Sequence, residues 1–332
     1  MEKILIVNLL RLGDLVISTP VFFNLKLNLK NIKISALIRK ETADILQNFP
    51  YIDKIYFYSS KLSLLKYLRE FKKQDCVIFI MERDIFKLKF FYYLGIPLRI
   101  GYANFDKRDK YLTHPIKWDR PFEGLEKLFL EVLRPLKIDF FTKINPMLYI
   151  SEKEYQNLKK ILIADKIKIA IHTDTYAPSR KWPYFQQLID IIKKETQNQV
   201  QIILSGKEKE NFECKISNIL DLRGKTTLSQ LSALFKMVDL VVGCDTGAVH
   251  ISRALGTKTI VIYGPEDPQI VISSENLIKI YPEIELECKN NNEYFNISFP
   301  NVNRCKRYSC NDINCLKSIS PYKVWDKIKN EF

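Results

Sequence analysis

The stretch Gly243–Pro268, GCDTGAVHISRALGTKTIVIYGPEDP, decides the fold. An apolar run, Leu240–Gly243, ends in Asp245-Thr246-Gly247 and gives way to a short helical pattern. A second apolar run, Thr259–Tyr263, closes on Gly264-Pro265 and Asp267-Pro268. This is a strand–turn–helix–strand unit with its polar residues gathered where the strand ends and the helix starts. At such a point unpaired backbone N–H groups and the positive end of the helix dipole make a place for phosphate. The plainer reading is a packing unit in which Asp-Thr only caps the helix. His250 favours a site. It lies three residues past Gly247, so one helical turn carries its ring back toward the same helix end.

The same alternation runs outward in both directions. In the first half, strands are expected at Lys3–Val7, Ile34–Ile38, Lys54–Tyr58, Cys76–Ile80 and Leu98–Gly101, with helices near Leu15–Asn28, Glu41–Asn48, Leu62–Phe71 and Ile85–Leu94. After a lysine-rich helical stretch, Glu152–Asp165, the pattern restarts with strands at Lys168–His172, Val200–Ser205, Leu220–Leu222, Leu240–Val242 and Thr259–Tyr263. Helices should fall near Trp182–Thr196, Asn211–Ile219, Leu228–Met237 and Ala248–Leu255. Short apolar strands alternating with helices predict an α/β chain of two Rossmann-like, doubly wound parallel-sheet domains. The hinge falls near 145–165, giving domains 1–155 and 156–332, with the last helix able to pack back on the first. Open parallel sheets bind ligands at the carboxyl ends of their strands, so two of them facing each other place the site in a cleft between domains.

The bulk composition fits such a chain. At 332 residues there is room for two cores, and 46% hydrophobic with 27% charged residues is ordinary for a globular protein. No apolar run approaches the roughly 18 residues of a membrane span. Lys3–Val7 enters a strand at once with no signal-peptide layout before it, which gives a cytoplasmic expectation. The 52 Lys and Arg against 38 Asp and Glu leave a net charge of +14. Nucleic acid, an anionic membrane surface or an acidic substrate could answer that charge, as could mere drift toward lysine. The absence of zinc-finger spacing and of an aromatic RNA-binding motif argues against nucleic acid. Of the seven cysteines, Cys76, Cys214 and Cys244 lie in or beside apolar segments and read as buried thiols. Cys288, Cys305, Cys310 and Cys315 gather near the C-terminus, where a structural zinc or iron site competes with unligated thiols.

Other polar turns follow predicted strands. Arg11-Leu12-Gly13-Asp14 comes after the first, with Gly13 suited to a tight turn and Asp14 at or near the helix N-cap. Asp14 is either an ordinary cap or a carboxylate placed to take a proton from a hydroxyl. After Lys168–His172 come Thr173 and Thr175, able to donate hydroxyl hydrogen bonds, and Ser179-Arg180-Lys181-Trp182-Pro183, in which Lys181 can meet a phosphate and Trp182-Pro183 opens a helix. The alternative is a solvated basic loop. Ser205-Gly206-Lys207-Glu208-Lys209-Glu210 ends another strand, and Glu208 or Glu210 could accept from ribose hydroxyls or simply be a surface charge.

Taken together, RLGDLVISTPV at Arg11–Val21, SRKWP at Ser179–Pro183, the long run from Leu222 to Pro265 and CLKSISPYKV at Cys315–Val324 resemble glycosyltransferase family 9, the heptosyltransferases of lipopolysaccharide core assembly. The resemblance is thin from about Phe49 to Ile167. It implies the GT-B architecture, with an N-terminal acceptor domain and a C-terminal nucleotide-sugar domain. It also implies inverting transfer of heptose from ADP-heptose to an anionic glycolipid acceptor, with no metal and no cofactor. Carried over by motif, Asp14 and Lys181 are catalytic. Thr173, Thr175, Lys181, Asp245, Thr246, Gly247, His250 and one of Glu208 or Glu210 bind the donor, and Arg11 and Gly13 adjoin the acceptor. The expected location is the cytoplasm, peripheral at the inner face of the inner membrane. Rival readings are a GT-B nucleotide-sugar epimerase and a catalytically silent sugar-nucleotide or lipopolysaccharide-binding protein.

Overall fold

The computed structural model describes residues 1–103, 106–117, 123–197, 199–207, 219–284 and 310–332. The chain divides into two compact units, Met1–Tyr149 and Ile150–Phe332. The first holds strands β1 (Lys3–Asn8), β2 (Lys33–Arg39), β3 (Lys54–Tyr58), β4 (Cys76–Phe79), β5 (Leu98–Tyr102) and β6 (His114–Ile116). Its helices are α1 (Leu12–Ile17), α2 (Thr19–Asn28), α3 (Leu68–Phe71), α4 (Ile85–Tyr93) and α5 (Leu125–Leu130). The strands form one parallel sheet in the order β3-β2-β1-β4-β5-β6. The central strands are apolar almost end to end because parallel sheets are covered on both faces: Ile4, Leu5, Ile6 and Val7 are all fully buried.

The second unit repeats the design. Helix α6 (Glu152–Lys159) leads into β7 (Ile167–His172), α7 (Phe185–Thr196), β8 (Val200–Ser205) and β9 (Ile219–Asp221). Then follow α8 (Leu228–Met237), β10 (Leu240–Cys244), α9 (Gly247–Ala254), β11 (Lys258–Ile262) and β12 (Leu277–Ile280). Two C-terminal helices, α10 (Asn314–Lys317) and α11 (Pro321–Lys329), close the chain. The sheet order is β12-β11-β10-β7-β8-β9, again all parallel. From its other edge this is the first sheet's order shifted by six strands. Each sheet therefore has a point where strand order reverses, between β1 and β4 in one unit and between β7 and β10 in the other. Ligands of doubly wound folds bind outside the strand ends at such points.

Three local expectations are corrected. The continuous helix expected over Leu15–Asn28 is two helices, because Ser18 turns back on the first: its Oγ donates to Leu15 O (2.8 Å) and accepts from Asn8 Nδ2 (2.7 Å). The segments Lys40–Leu46 and Lys61–Tyr67 wind as 3-10 rather than α-helix. Trp182-Pro183 does not open a helix. Trp182 is drawn into the core instead, donating from Nε1 to Ile319 O (2.9 Å), and the helix starts at Phe185. The edge strands β6 and β12 are additions to the expected set. The last helix, which the sequence left able to reach the first domain, packs in the core of its own unit through Val324, Trp325 and Ile328. Among the described residues no helix is long and apolar enough to cross a membrane.

Candidate active site

In the second unit the polar turns after β7, β8, β10 and β11 share one edge of the sheet. Strand β10 ends at Cys244, and Thr246 is the N-cap of α9 in extended backbone, with φ −143° and ψ 170°. Its side chain makes no capping bond, and the buried Thr246 Oγ1 has no hydrogen-bond partner among the described residues. A hydroxyl in that state is costly unless something completes it. Helix α9 lies tight on its strand because Gly243 has no side chain. A Cβ there would meet Val249 Cγ1 at 3.1 Å and His172 O at 3.2 Å. As the helical spacing predicts, His250 returns to the turn, with Nε2 3.3 Å from Asp245 Oδ1.

The loop after β7 is pinned to this turn. Trp182 N donates to Cys244 Sγ (3.4 Å), which sets Lys181 beside the end of β10. Burial pushes the Cys244 thiol up to about 12 even though the charges of Lys181 and Arg180 act on it in the opposite direction. Arg180 pairs with the buried Glu266, which follows β11. On the other side Asp174 accepts from Lys207 N (3.1 Å), and Gly206 donates no side chain to the crowded seam, where a Cβ would sit 2.9 Å from that of Asp174. Lys181, Asp245, Thr246, Gly247 and His250 are thus brought together by backbone and side-chain bonds that the sequence does not display. Arg180, Glu266 and Asp174 were missed as parts of that frame; their pairing depends on strand order, not on spacing.

Thr173 and Thr175 also take part in holding this loop. Thr175 Oγ1 donates to Ala177 O (3.0 Å), so its hydroxyl proton is engaged in shaping the loop. Thr173 is buried and its N–H donates to Ser205 O (3.1 Å), which ties the start of the loop to the end of β8. Glu208, Glu210, Cys214, Cys288 and Cys305 lie outside the described residues, as does the helix expected near Asn211–Ile219 except for Ile219, which opens β9. Cys310 and Cys315 are both half-buried, Cys315 against the core of the unit. Among the described residues no group of three His, Cys, Asp or Glu is arranged to hold a metal.

Beneath the loops sits His172, which the sequence did not mark. It is buried, its Nδ1 is 3.1 Å from Ser205 Oγ, and burial lowers its pKa to about 4. The unfolded chain, with an ordinary histidine near 6.5, binds this proton first. Stability contributed by neutral His172 is therefore complete above about pH 6.5 and is lost as pH falls toward 4, a change of about 3 kcal/mol. Denaturant titrations from pH 7 to 4 should show that decline, and His172→Gln should flatten it. An equally steep decline in the variant would locate the effect elsewhere.

In the first unit Asp14 also lies just past a strand end at the switch point, half-buried. It is not the N-cap: Arg11 holds that position and Asp14 is the third residue of α1. Gly13 is a helical residue rather than the pivot of a tight turn, because α1 has already begun at Leu12. The turn is held by groups unmarked in the sequence. Asn8 accepts from Leu10 N (3.1 Å) while donating to Ser18 Oγ, and Arg39 Nε donates to Leu9 O (2.5 Å). The neighbouring turn, after β4, is built on Glu82, whose Oε1 accepts from Arg83 N (3.0 Å) and Asp84 N (2.8 Å).

Each of the two doubly wound sheets carries polar turns at its switch point, and the second has a helix start suited to phosphate. The family model of glycosyltransferase family 9 (heptosyltransferase) matches residues 64–297. The chain belongs to that family and is a glycosyltransferase. Lipopolysaccharide heptosyltransferase 3 of Escherichia coli K12 is 26% identical over 290 residues, covering 77% of this chain and 80% of its relative. Among solved structures, the family 9 glycosyl transferase from Veillonella parvula superposes with a TM-score of 0.77 at 17% identity, over 99% of this chain and 97% of the other. An E. coli heptosyltransferase solved with ADP-2-deoxy-2-fluoro heptose superposes with a TM-score of 0.71 at 15% identity, over 99% and 100% of the two chains. These likenesses carry the GT-B fold.

Proposed function

We propose that this enzyme moves a heptose from ADP-heptose to a lipopolysaccharide-core acceptor, inverting the anomeric centre without a metal ion. The observation that carries the reading is the frame around Thr246. A helix start with no side-chain cap, a buried hydroxyl with no partner among the described residues, and Lys181 lie at the switch point of the second unit. A diphosphate is the ligand that would use all three. That the solved relative binds an ADP-heptose analogue supports the choice of nucleotide and sugar.

The second unit then holds the donor and the first the acceptor. Asp14 takes the proton of an acceptor hydroxyl as its oxygen attacks the anomeric carbon. The bond from that carbon to the diphosphate oxygen breaks, and its electron pair leaves with ADP through an oxocarbenium-like transition state. Lys181 and the start of α9 meet the charge growing on the diphosphate, the electrostatic work a metal ion could otherwise perform. Arg11, exposed at the head of α1, stands where an anionic acceptor would be met. The acceptor class follows the relative's name, a lipopolysaccharide heptosyltransferase, and suits a net charge of +14.

Calorimetry tests the donor. ADP and ADP-heptose should bind the full chain in the presence of chelator, with UDP-sugars far weaker. A strict need for Mg²⁺ or Mn²⁺, or a preference for UDP-sugars, would overturn the assignment.

A further inference from the structure

The transfer chemistry makes no use of the buried carboxylate of Glu266. Its side chain is 5% exposed and pairs with that of Arg180, 17% exposed. The two belong to different turns. Arg180 closes the 3-10 turn Pro178–Arg180 after β7, and Glu266 follows β11. Strand β10 lies between those strands in the sheet, so the pair reaches across the end of β10, about 10 Å from loop to loop at the usual strand spacing. The Glu266 side is rigid. A Cβ on Gly264 would lie 2.6 Å from Leu316 Cγ, so this loop packs directly on α10. Asp267 Oδ1 accepts from Gln269 N (2.8 Å), and Lys279 Nζ donates to Pro268 O (2.6 Å) and Val271 O (2.7 Å). On the far side Lys181 stands between two anchored neighbours. Trp182 is held by Cys244 Sγ and Ile319 O, and Arg180 by Glu266. The charges of Asp245, Lys181 and Arg180 all act on the Cys244 thiol, which gathers all three around the end of β10.

A buried ion pair often adds no net stability over apolar groups of the same shape, and its best-attested use is to fix one arrangement. We propose that Glu266 is a positioning residue, which holds Arg180 across the end of β10 and so fixes Lys181 at the start of α9. The carboxylate also divides two adjacent cations between two tasks. Arg180 is engaged with the rigid loop, and Lys181 is the one presented to the diphosphate. A cation already in place stabilises growing charge better than one that must first be oriented. This role of Glu266 rests on the reading of Lys181 as a diphosphate contact.

A double-mutant cycle on the full chain tests it, read by ADP binding in calorimetry and by kcat/KM for ADP-heptose. Glu266→Gln keeps the shape of the side chain and removes its charge. It should weaken ADP binding and lower kcat/KM, each by about tenfold, within what a displaced contact group costs. Glu266→Asp should recover part of the loss. In a Lys181→Ala background Glu266→Gln should change neither quantity by more than about twofold, because the group it positions is gone. Should Glu266→Gln fail to fold, Arg180→Lys breaks the same fork from its other end and should give the same cycle. A role confined to stability would lower Tm and the active fraction while leaving the ADP affinity of the folded fraction unchanged, and would overturn the proposal. So would additive losses, or ADP binding restored by Glu266→Gln in the alanine background, which would show Arg180 meeting the diphosphate itself. Full activity and ADP affinity in Lys181→Ala alone would overturn the reading of Lys181 and this role with it, whereas an additive cycle strikes only Glu266.

Discussion

Asp14→Asn is expected to lower turnover about 100-fold or more while leaving ADP-heptose affinity nearly unchanged. Asparagine keeps the shape of the side chain and the helical position but cannot accept the acceptor's proton. The turn should not move, because Asn8, Ser18 and Arg39 hold it through bonds that do not involve the carboxylate of residue 14. Single-turnover rates and donor titrations on the same preparation separate the two effects. Turnover close to that of the wild type would reduce Asp14 to an acidic residue in the first turn of α1, where a carboxylate favours the helix dipole.

Lys181→Ala should act differently, weakening donor binding and slowing transfer together, with kcat/KM down by about 10²- to 10³-fold, the range seen when one preorganised charge-stabilising group is lost. Its charge serves the diphosphate before and during bond breaking. The loop should survive the change, since Trp182 remains anchored to Cys244 Sγ and Ile319 O, and Arg180 to Glu266. Lys181→Arg should recover part of the loss. Unaltered donor affinity and rate in the alanine variant would return Lys181 to the solvated basic loop that composition alone allows.

The strands were largely legible because a parallel sheet buries both faces and writes itself as apolar runs; β3, β8 and helix α8 fall on the expected residues. The edges were not. β6 is three residues containing Pro115, and β12 follows a polar stretch, so neither shows the run of a central strand. The break at Ser18 was hidden because Thr19-Pro20 suits the start of a new helix as well as it interrupts an old one, and only the contact with Asn8 decides. In the site, helical spacing returns His250 to the start of α9, and the structure places it 3.3 Å from Asp245. Nothing in the spacing joins Arg180 to Glu266, or Asp174 to Lys207, because those pairs are made by the order of strands in the sheet. The bond from the Thr175 hydroxyl to Ala177 O, two residues away, likewise depends on how the loop folds and not on residue type.

The central claim is metal-independent, inverting heptosyl transfer, and product analysis tests it most directly. The full chain, ADP-L-glycero-β-D-manno-heptose and a heptose-deficient core oligosaccharide would be incubated with excess chelator and the product resolved by mass spectrometry and NMR. The expected product carries one added heptose in α linkage, with one ADP released per transfer. A β-linked product, transfer that stops when chelator is added, or release of an isomerised sugar nucleotide with no disaccharide would each contradict it.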